Sequence, residues 1–331
     1  MNSGRRAVAR AHANIALAKY WGKADDVHNV PAVTSVSVTL EALTTTTEVR
    51  FDPSLAVDRL ELDGREAEGR ALERVTALLD RVRRAASIET RARVASRNSF
   101  PTGSGLASSA SGFAALAIAA RSAAGLELDR DRASDLARRS SASAARSIHG
   151  GFVRLRAGEP GDAFLPAEPV APASHWDLRV VVAVTTKGPK KVGSTEGMGH
   201  TARTSPYYPG WIALCQRLSA EVERAVLARD LRALGEAAEQ SALAMHACAM
   251  AAGPALIYLE PSTLGCVHAV RAMRDRGVAA WATIDAGPHV KVLTTGGDAE
   301  RVRQELASLP GVVDTIVSRV GGDATVELEE A

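Results

Sequence analysis

The string Pro101-Thr-Gly-Ser-Gly-Leu-Ala-Ser-Ser-Ala-Ser-Gly112 runs straight into an Ala-rich stretch that reads as a helix from Ser108 to about Ala124. Glycines and small hydroxyl residues let a backbone wrap closely around an anion. The free N–H groups at a helix start add partial positive charge there. No Gly-Lys-Ser/Thr ends the string, so it is not a Walker A loop. Ser108 stands where the dinucleotide fingerprint needs its third Gly. On composition alone the string reads equally as a phosphate cradle or as a small-residue turn before a tightly packed helix.

The rest of the chain supplies mixed elements. Residues 7–18 read as a strand, and residues 33–51, rich in Val and Thr, as a β-hairpin or meander. Apolar positions at helical spacing predict a helix over 68–86, followed by a loop at 96–105. A further helix is expected from a cap at Asp129 or Asp131 through about Ser147, closed by Gly150-Gly151. Residues 157–176 read as a connecting loop and Leu178–Thr185 as a strand. Helices are expected over 208–228, 230–250 and 260–276, with strand-like pieces at 279–284, 289–295 and 312–320. Strands and helices mix without regular βαβ repetition, which argues for α+β lobes rather than a doubly wound sheet. The boundary is placed at 177/178, giving domains 1–177 and 178–331.

Four further strings carry chemistry. Lys19-Tyr-Trp-Gly-Lys23 offers two ammonium groups beside aromatic residues, or a surface turn with a half-buried Trp21. On a helix, Ser143, Arg146 and Ser147 share one face and offer a carboxylate or phosphate a guanidinium fork with two hydroxyls. The plainer reading there is a fraying helix end. Asp285, closing an apolar strand before Ala-Gly-Pro288, sits where a catalytic base is often displayed, though an Asp-initiated turn reads the same way. Lys187 to Met198 reads as a basic, Gly-rich loop. His246 and His268 lack ligand partners at metal spacing and read as core or surface histidines.

Composition excludes other classes. The 331 residues carry a net charge of +2 and only 4% aromatic residues, without the one-signed, aromatic-rich surface of a nucleic-acid binder. No stretch approaches the roughly 18 apolar residues of a membrane span, and no signal peptide is evident, so a cytoplasmic protein without membrane partners is expected. Cys215, Cys248 and Cys266 read as reduced, buried thiols.

Together these strings resemble the diphosphomevalonate decarboxylase family of the GHMP kinase superfamily. The resemblance spans nearly the whole chain: Ala13-Asn-Ile-Ala with Lys19 to Lys23, Ser37-Val-Thr-Leu40, Gly105 to Ser111, Ser141 to Ser147, Ser194 to Met198, His246-Ala and Asp285 to Pro288. It implies two α+β lobes with the site between them, and a homodimer. It implies conversion of mevalonate 5-diphosphate and ATP, with Mg2+, to isopentenyl diphosphate, carbon dioxide, ADP and phosphate. In that scheme Asp285 is the base, Lys19 steers it, and Arg146 holds the substrate carboxylate. The substrate contacts implied are Tyr20, Trp21, Gly22, Lys23, Arg74, Ser141, Ser143, Ser194, Thr195 and Met198. ATP falls to Ser96, Asn98, Pro101, Gly103, Ser104, Gly105, Leu106, Ala107, Ser108 and Ser109, with Ser108 as the metal contact. Lys19 and Lys23 suit a diphosphate better than a monophosphate. Departures from the family pattern at Ala142, Ala144, Ala145, His149, His289, Gly253, Val33 and Thr34 are expected beside the site.

Overall fold

In the computed structural model, which describes residues 5–100, 106, 108–186 and 192–329, the first apolar stretch forms strand β1 (Arg6–Ala18). It leads through the short pair β2 (Lys23–Asp25) and β3 (Val30–Pro31) into β4 (Ser35–Phe51), which runs back antiparallel along β1. Next come β5 (Arg59–Leu62), β6 (Arg65–Glu66), helix α1 (Arg70–Ala86), β7 (Ala92–Asn98) and α2 (Ser108–Ala123). Ala7, Ala9, Ala11 and Ala13 alternate onto one buried face of β1. Their small side chains let the Ala-rich α2 lie close against the sheet, with Ala114, Ala115, Ala117 and Ala119 fully buried.

Helices α3 (Arg130–Ser140) and α4 (Ala142–Arg146) precede strands β8 (Phe152–Leu155) and β9 (Glu168–Ala171). The chain then builds a second sheet. Strand β10 (Leu178–Val184) is followed by helices α5 (Ser194–Thr204), α6 (Tyr208–Ala228), α7 (Leu231–Met250) and α8 (Pro261–Asp275). Strands β11 (Ala280–Ile284) and β12 (Val290–Thr295), helix α9 (Ala299–Ala307), and strands β13 (Asp314–Arg319) and β14 (Thr325–Glu329) follow. The second sheet has the order β11-β12-β10-β13, while β14 returns to pair with β1 in the first. The architecture is two-lobed α+β, as the mixed pattern implies.

Several local expectations are corrected. Residues 35–51 form one strand rather than a hairpin. Between Leu40 and Thr44 the pairing with β1 slips by a bulge, and Leu43 points into the core. No Gly, Pro, Asn or Asp stands there to turn the chain. The helix expected through Ser147 breaks at Ser141, whose backbone is extended at φ −159° and ψ 116°. Residues 194–198, which read as part of a loop, belong to helix α5, and 92–98, which overlap the loop expected at 96–105, pair as a strand. Strands β5, β6, β9 and β14 and helix α9 had no clear signal.

One apolar core joins the lobes: Ile15, Leu17, Val36 and Val38 meet Leu218, Val222, Leu234 and Val182. Helix α7 ties the ends of the two sheets together. Ser241 Oγ accepts the Lys19 backbone N–H at 2.9 Å, and Glu239 accepts the Ala282 backbone N–H at 3.1 Å on β11. Arg274 donates to both Glu239 oxygens at 2.8 and 3.1 Å, so this buried carboxylate is fully engaged. Glu239→Ala strands these donors and is expected to cost about 3–5 kcal/mol, seen as a lowered midpoint in chemical denaturation.

Candidate active site

The last residue pairs of β11 and β12 bring Ile284 beside Val290 and Thr283 beside Lys291. Asp285 follows directly, at the mouth of a cavity of about 480 Å³ between the lobes. Lys19, just past the end of β1, places Nζ 2.6 Å from Asp285 Oδ1 and also donates to the Ala16 carbonyl at 2.8 Å. Lys291 Nζ lies 3.0 Å from Asp285 Oδ2. Both lysines are buried, whereas the Asp285 side chain keeps 23% exposure and faces the cavity. Burial by itself would raise the Asp285 pKa; the two ammonium groups outweigh it and hold the carboxyl well below its usual range. Burial pulls the Lys19 pKa down; Asp285 counters this, while Lys291 and Arg146 add to the lowering.

Arg146 enters the same cavity from α4. It is 2% exposed, donates to Ser35 Oγ at 2.7 Å, and its Nε has no protein partner. No carboxylate forms an ion pair with this buried guanidinium among the described residues, an arrangement that is costly unless an anion joins it. The break at Ser141 turns the chain so that Ser141, Ser143 and Arg146 all line the cavity. Asn14 closes this wall, donating to the Ser143 carbonyl at 2.9 Å and to Ser147 Oγ at 2.7 Å, with its own Oδ1 buried and unpartnered. Ser147 is thus occupied behind the wall.

The same cavity is also lined by Lys23, Arg70 and Arg74, with Gly193, Ser194 and Thr195 at the start of α5. Arg74 is stacked 4.4 Å over the Phe113 ring and donates to the Ser140 carbonyl at 2.8 Å. Glu196 lines the cavity as well, so among the described residues five cations, Lys19, Lys23, Arg70, Arg74 and Arg146, face two carboxylates, Asp285 and Glu196. Tyr20, Trp21 and Met198 form the floor, and the Tyr20 Oη and Trp21 Nε1 atoms are buried without partners. Trp21 is a core residue, not the half-buried surface residue of the plainer reading. Gly197 lets α5 approach it: a Cβ there would lie 2.2 Å from Tyr258 Oη and 3.0 Å from the indole.

A second slot of about 220 Å³ adjoins the first and shares Arg74 and Ser109 with it. Its walls are Leu60, Leu62, Val75, Val94, Phe113 and Leu116, with Ser96, Asn98 and Ser108 at the polar edge. Five of the nucleotide-cradle expectations, Pro101, Gly103, Ser104, Gly105 and Ala107, lie outside the described residues. Leu106 is buried in the core between the lobes. Gly22 does not line the cavity; its φ of 135° and a Cβ distance of 2.2 Å to Tyr208 Oη explain why only glycine fits.

Sequence reasoning missed Lys291, Asn14, Arg70 and Glu196. Lys291 was the most legible of these, a lysine between Val290 and Val292 near the start of β12. Of the departures from the family pattern, only Ala142 lines the cavity. His149 sits by Arg130 and Asp323 on the far side of α4, and His289 is buried with Nδ1 accepting from the Thr185 backbone N–H at 3.2 Å.

His246 is a core histidine, as expected, but it lies behind the ion cluster, edge-on to Tyr258 at 6.3 Å. Burial and then the Lys19 ammonium push its pKa down to about 4. The neutral ring therefore stabilises the fold fully above its ordinary value of 6.5. That stabilisation is lost as pH falls from 6.5 toward 4. An NMR titration of the imidazole is expected to show His246 uncharged at pH 6.

Comparison with known proteins points the same way. Residues 11–164 match the family described as "Diphosphomevalonate decarboxylase-like N-terminal domain". Residues 180–328 match "Mevalonate 5-diphosphate decarboxylase C-terminal domain". The phosphomevalonate decarboxylase of Haloferax volcanii is 35% identical, over 97% of both chains. The crystal structure of mevalonate diphosphate decarboxylase from Staphylococcus aureus superposes with a TM-score of 0.92 at 36% identity, covering 99% of this chain and 98% of that one. The protein designated MDDEF, solved in complex with MVAPP, AMPPCP and magnesium, gives 0.91 at 37% identity, covering 99% of this chain and 100% of that one. This chain belongs to the diphosphomevalonate decarboxylase family.

Proposed function

We propose that the chain catalyses ATP-dependent decarboxylation of mevalonate 5-diphosphate to isopentenyl diphosphate, by way of phosphorylation at the 3-hydroxyl. One observation carries the reading: a clamped carboxylate, Asp285, shares a cavity with an unpaired buried guanidinium, Arg146. The substrate spans the cavity with its carboxylate on Arg146, Ser141 and Ser143. Its diphosphate lies among Lys23, Arg74, Ser194, Thr195 and the start of α5, and its carbon chain rests on Tyr20, Trp21 and Met198. The apolar slot suits a nucleoside, and Ser109, at the junction of the two cavities, and Ser108 beside it in the slot face the phosphates. Magnesium, held there by the Ser108 hydroxyl, would supply charge neutralisation on those phosphates.

Asp285 accepts the proton of the 3-hydroxyl as that oxygen attacks the γ-phosphate, and Lys19 orients it. A carboxylate with a depressed pKa is a weak base, but phosphoryl transfer through a loose transition state asks little of the nucleophile. Departure of the 3-phosphate then draws electrons from the C1–C2 bond, and carbon dioxide is released.

A boundary at 177/178 belongs to this reading, supported by family matches that end at 164 and resume at 180. So do a cytoplasmic location, which three buried free cysteines fit, and homodimeric assembly, which rests on kinship alone. Among the described residues no helix is long and apolar enough to cross a membrane.

A second reading, with mevalonate 5-phosphate as substrate, is favoured by Glu196, whose carboxylate lines the phosphate end, and by the Haloferax relative. Incubating the protein with ATP, magnesium and each of mevalonate, its 5-phosphate and its 5-diphosphate separates these. ADP and carbon dioxide in equal amounts from the diphosphate are expected. Turnover of the monophosphate alone establishes the second reading, and ADP without carbon dioxide from all three contradicts both. Asp285→Asn is expected to lower kcat by about 10²–10⁴-fold in the same assay.

A further inference from the structure

We infer that Lys291 completes a two-ammonium clamp that makes Asp285 a proton carrier, taking the 3-hydroxyl proton during phosphoryl transfer and returning it to the 3-phosphate as that group leaves. The inference rests on the decarboxylase reading and goes beyond it in assigning Lys291 and the second half of the proton's path.

The geometry comes first. Val290 and Val292 point into the apolar core beneath α8 and α9, so alternation along β12 sends Lys291 to the opposite face. There it is 2% exposed, and its ammonium meets Asp285 Oδ2 at 3.0 Å and the His289 carbonyl at 3.4 Å. Lys19 holds the other oxygen at 2.6 Å. One carboxylate thus serves two buried ammonium groups. A lysine buried in an apolar strand carries a desolvation cost of several kcal/mol. Orientation of Asp285 by Lys19 alone does not require it.

The charges around Asp285 decide what the second ammonium does. Facing it are Lys19 from the end of β1, Lys291 from β12 and Arg146 from α4, all cationic, with the neutral His246 from α7. Protonating Asp285 leaves these cations without their counter-ion. The protonated carboxyl is therefore a strong acid, unable to keep a proton at neutral pH. His246, already pushed down to about 4, is a poor acceptor. The reaction itself creates a better one at the same place.

In the first step the 3-oxygen bonds to the γ-phosphorus, the bond to the ADP oxygen breaks, and the hydroxyl proton passes to Asp285. In the second step the C3–O bond breaks, its electron pair leaving with the phosphate. The C1–C2 pair becomes the C2=C3 double bond, and carbon dioxide departs. The Asp285 proton moves to the departing phosphate, leaving as hydrogen phosphate, and the carboxylate is restored for the next cycle. Lys19 and Lys291 act on the two steps in opposite directions: they weaken the base and strengthen the acid. Lys291 is a positioning residue that favours the second step.

The test is a rapid-quench single turnover with ATP, magnesium and mevalonate 5-diphosphate, following ADP and carbon dioxide in wild type, Lys291→Met and Lys291→Arg. In wild type the two products are expected together. In Lys291→Met the ADP step is expected within about threefold of wild type while carbon dioxide lags by about 10-fold or more, with a 3-phosphorylated species accumulating. Lys291→Arg restores the coupling. The acid limb of the kcat/KM profile shifts to higher pH in Lys291→Met, because losing an ammonium raises the Asp285 pKa. ADP and carbon dioxide in step in Lys291→Met, at any rate, would overturn the inference while leaving the decarboxylase reading intact. A wild type that releases no carbon dioxide sinks both. Should Lys291→Met fold poorly, the wild-type solvent deuterium effect decides: about twofold slowing of carbon dioxide release is expected, and none would overturn the inference.

Discussion

A carboxylate held between two buried lysines sets the terms for the rest of this structure. Lys19 follows the end of β1, Asp285 follows the end of β11 and Lys291 lies on β12, and they meet only if both lobes are fixed relative to one another. At an effective dielectric near 20, each contact is worth roughly 5 kcal/mol of Coulomb attraction, much of it offset by the cost of removing the ions from water. The cluster therefore gives little net stability. Its value lies in specificity of placement, and the surrounding fold supplies the rigidity. Helix α7 is the main support, holding the Lys19 backbone through Ser241 and β11 through Glu239.

The cavity divides its labour by charge and polarity. Arg146 lies buried with an unpartnered Nε, and the start of α5, Lys23, Arg74 and the ion cluster line the same space. Asn14, Tyr20, Trp21 and Arg146, which line this space, each carry a buried polar atom without a protein partner. Such atoms are costly unless a ligand engages them. The neighbouring apolar slot has the opposite character, and Arg74 and Ser109 stand at their border. In the proposed function an anionic substrate and a nucleoside are thereby sorted into adjoining sites.

Much of this was legible in the sequence, and the failures have physical reasons. The long apolar helices and the β10 strand carry their periodicity plainly. The bulge near Leu43 was hidden because its residues are as β-prone as a hairpin's arms, and only the missing turn residues betrayed it. The break at Ser141 leaves no mark, since serine is merely a weak helix former, and its extended backbone is set by packing. The α5 start was obscured by four glycines and a basic approach. Lys19, Arg146 and Asp285 were each ambiguous alone, and their convergence is a tertiary fact. Lys291 was passed over because one lysine in an apolar strand looks like an edge residue, and the strand order that buries it is not written locally.

The central claim is that Asp285 stays ionised under the two ammonium groups in spite of its burial. Carbon-13 NMR of the Asp285 side-chain carboxyl, followed from neutral pH to the acid limit of the folded state, measures this directly. The account predicts no protonation step at or above the ordinary aspartate value of 3.8. A carboxyl that titrates at 3.8 or higher would contradict it.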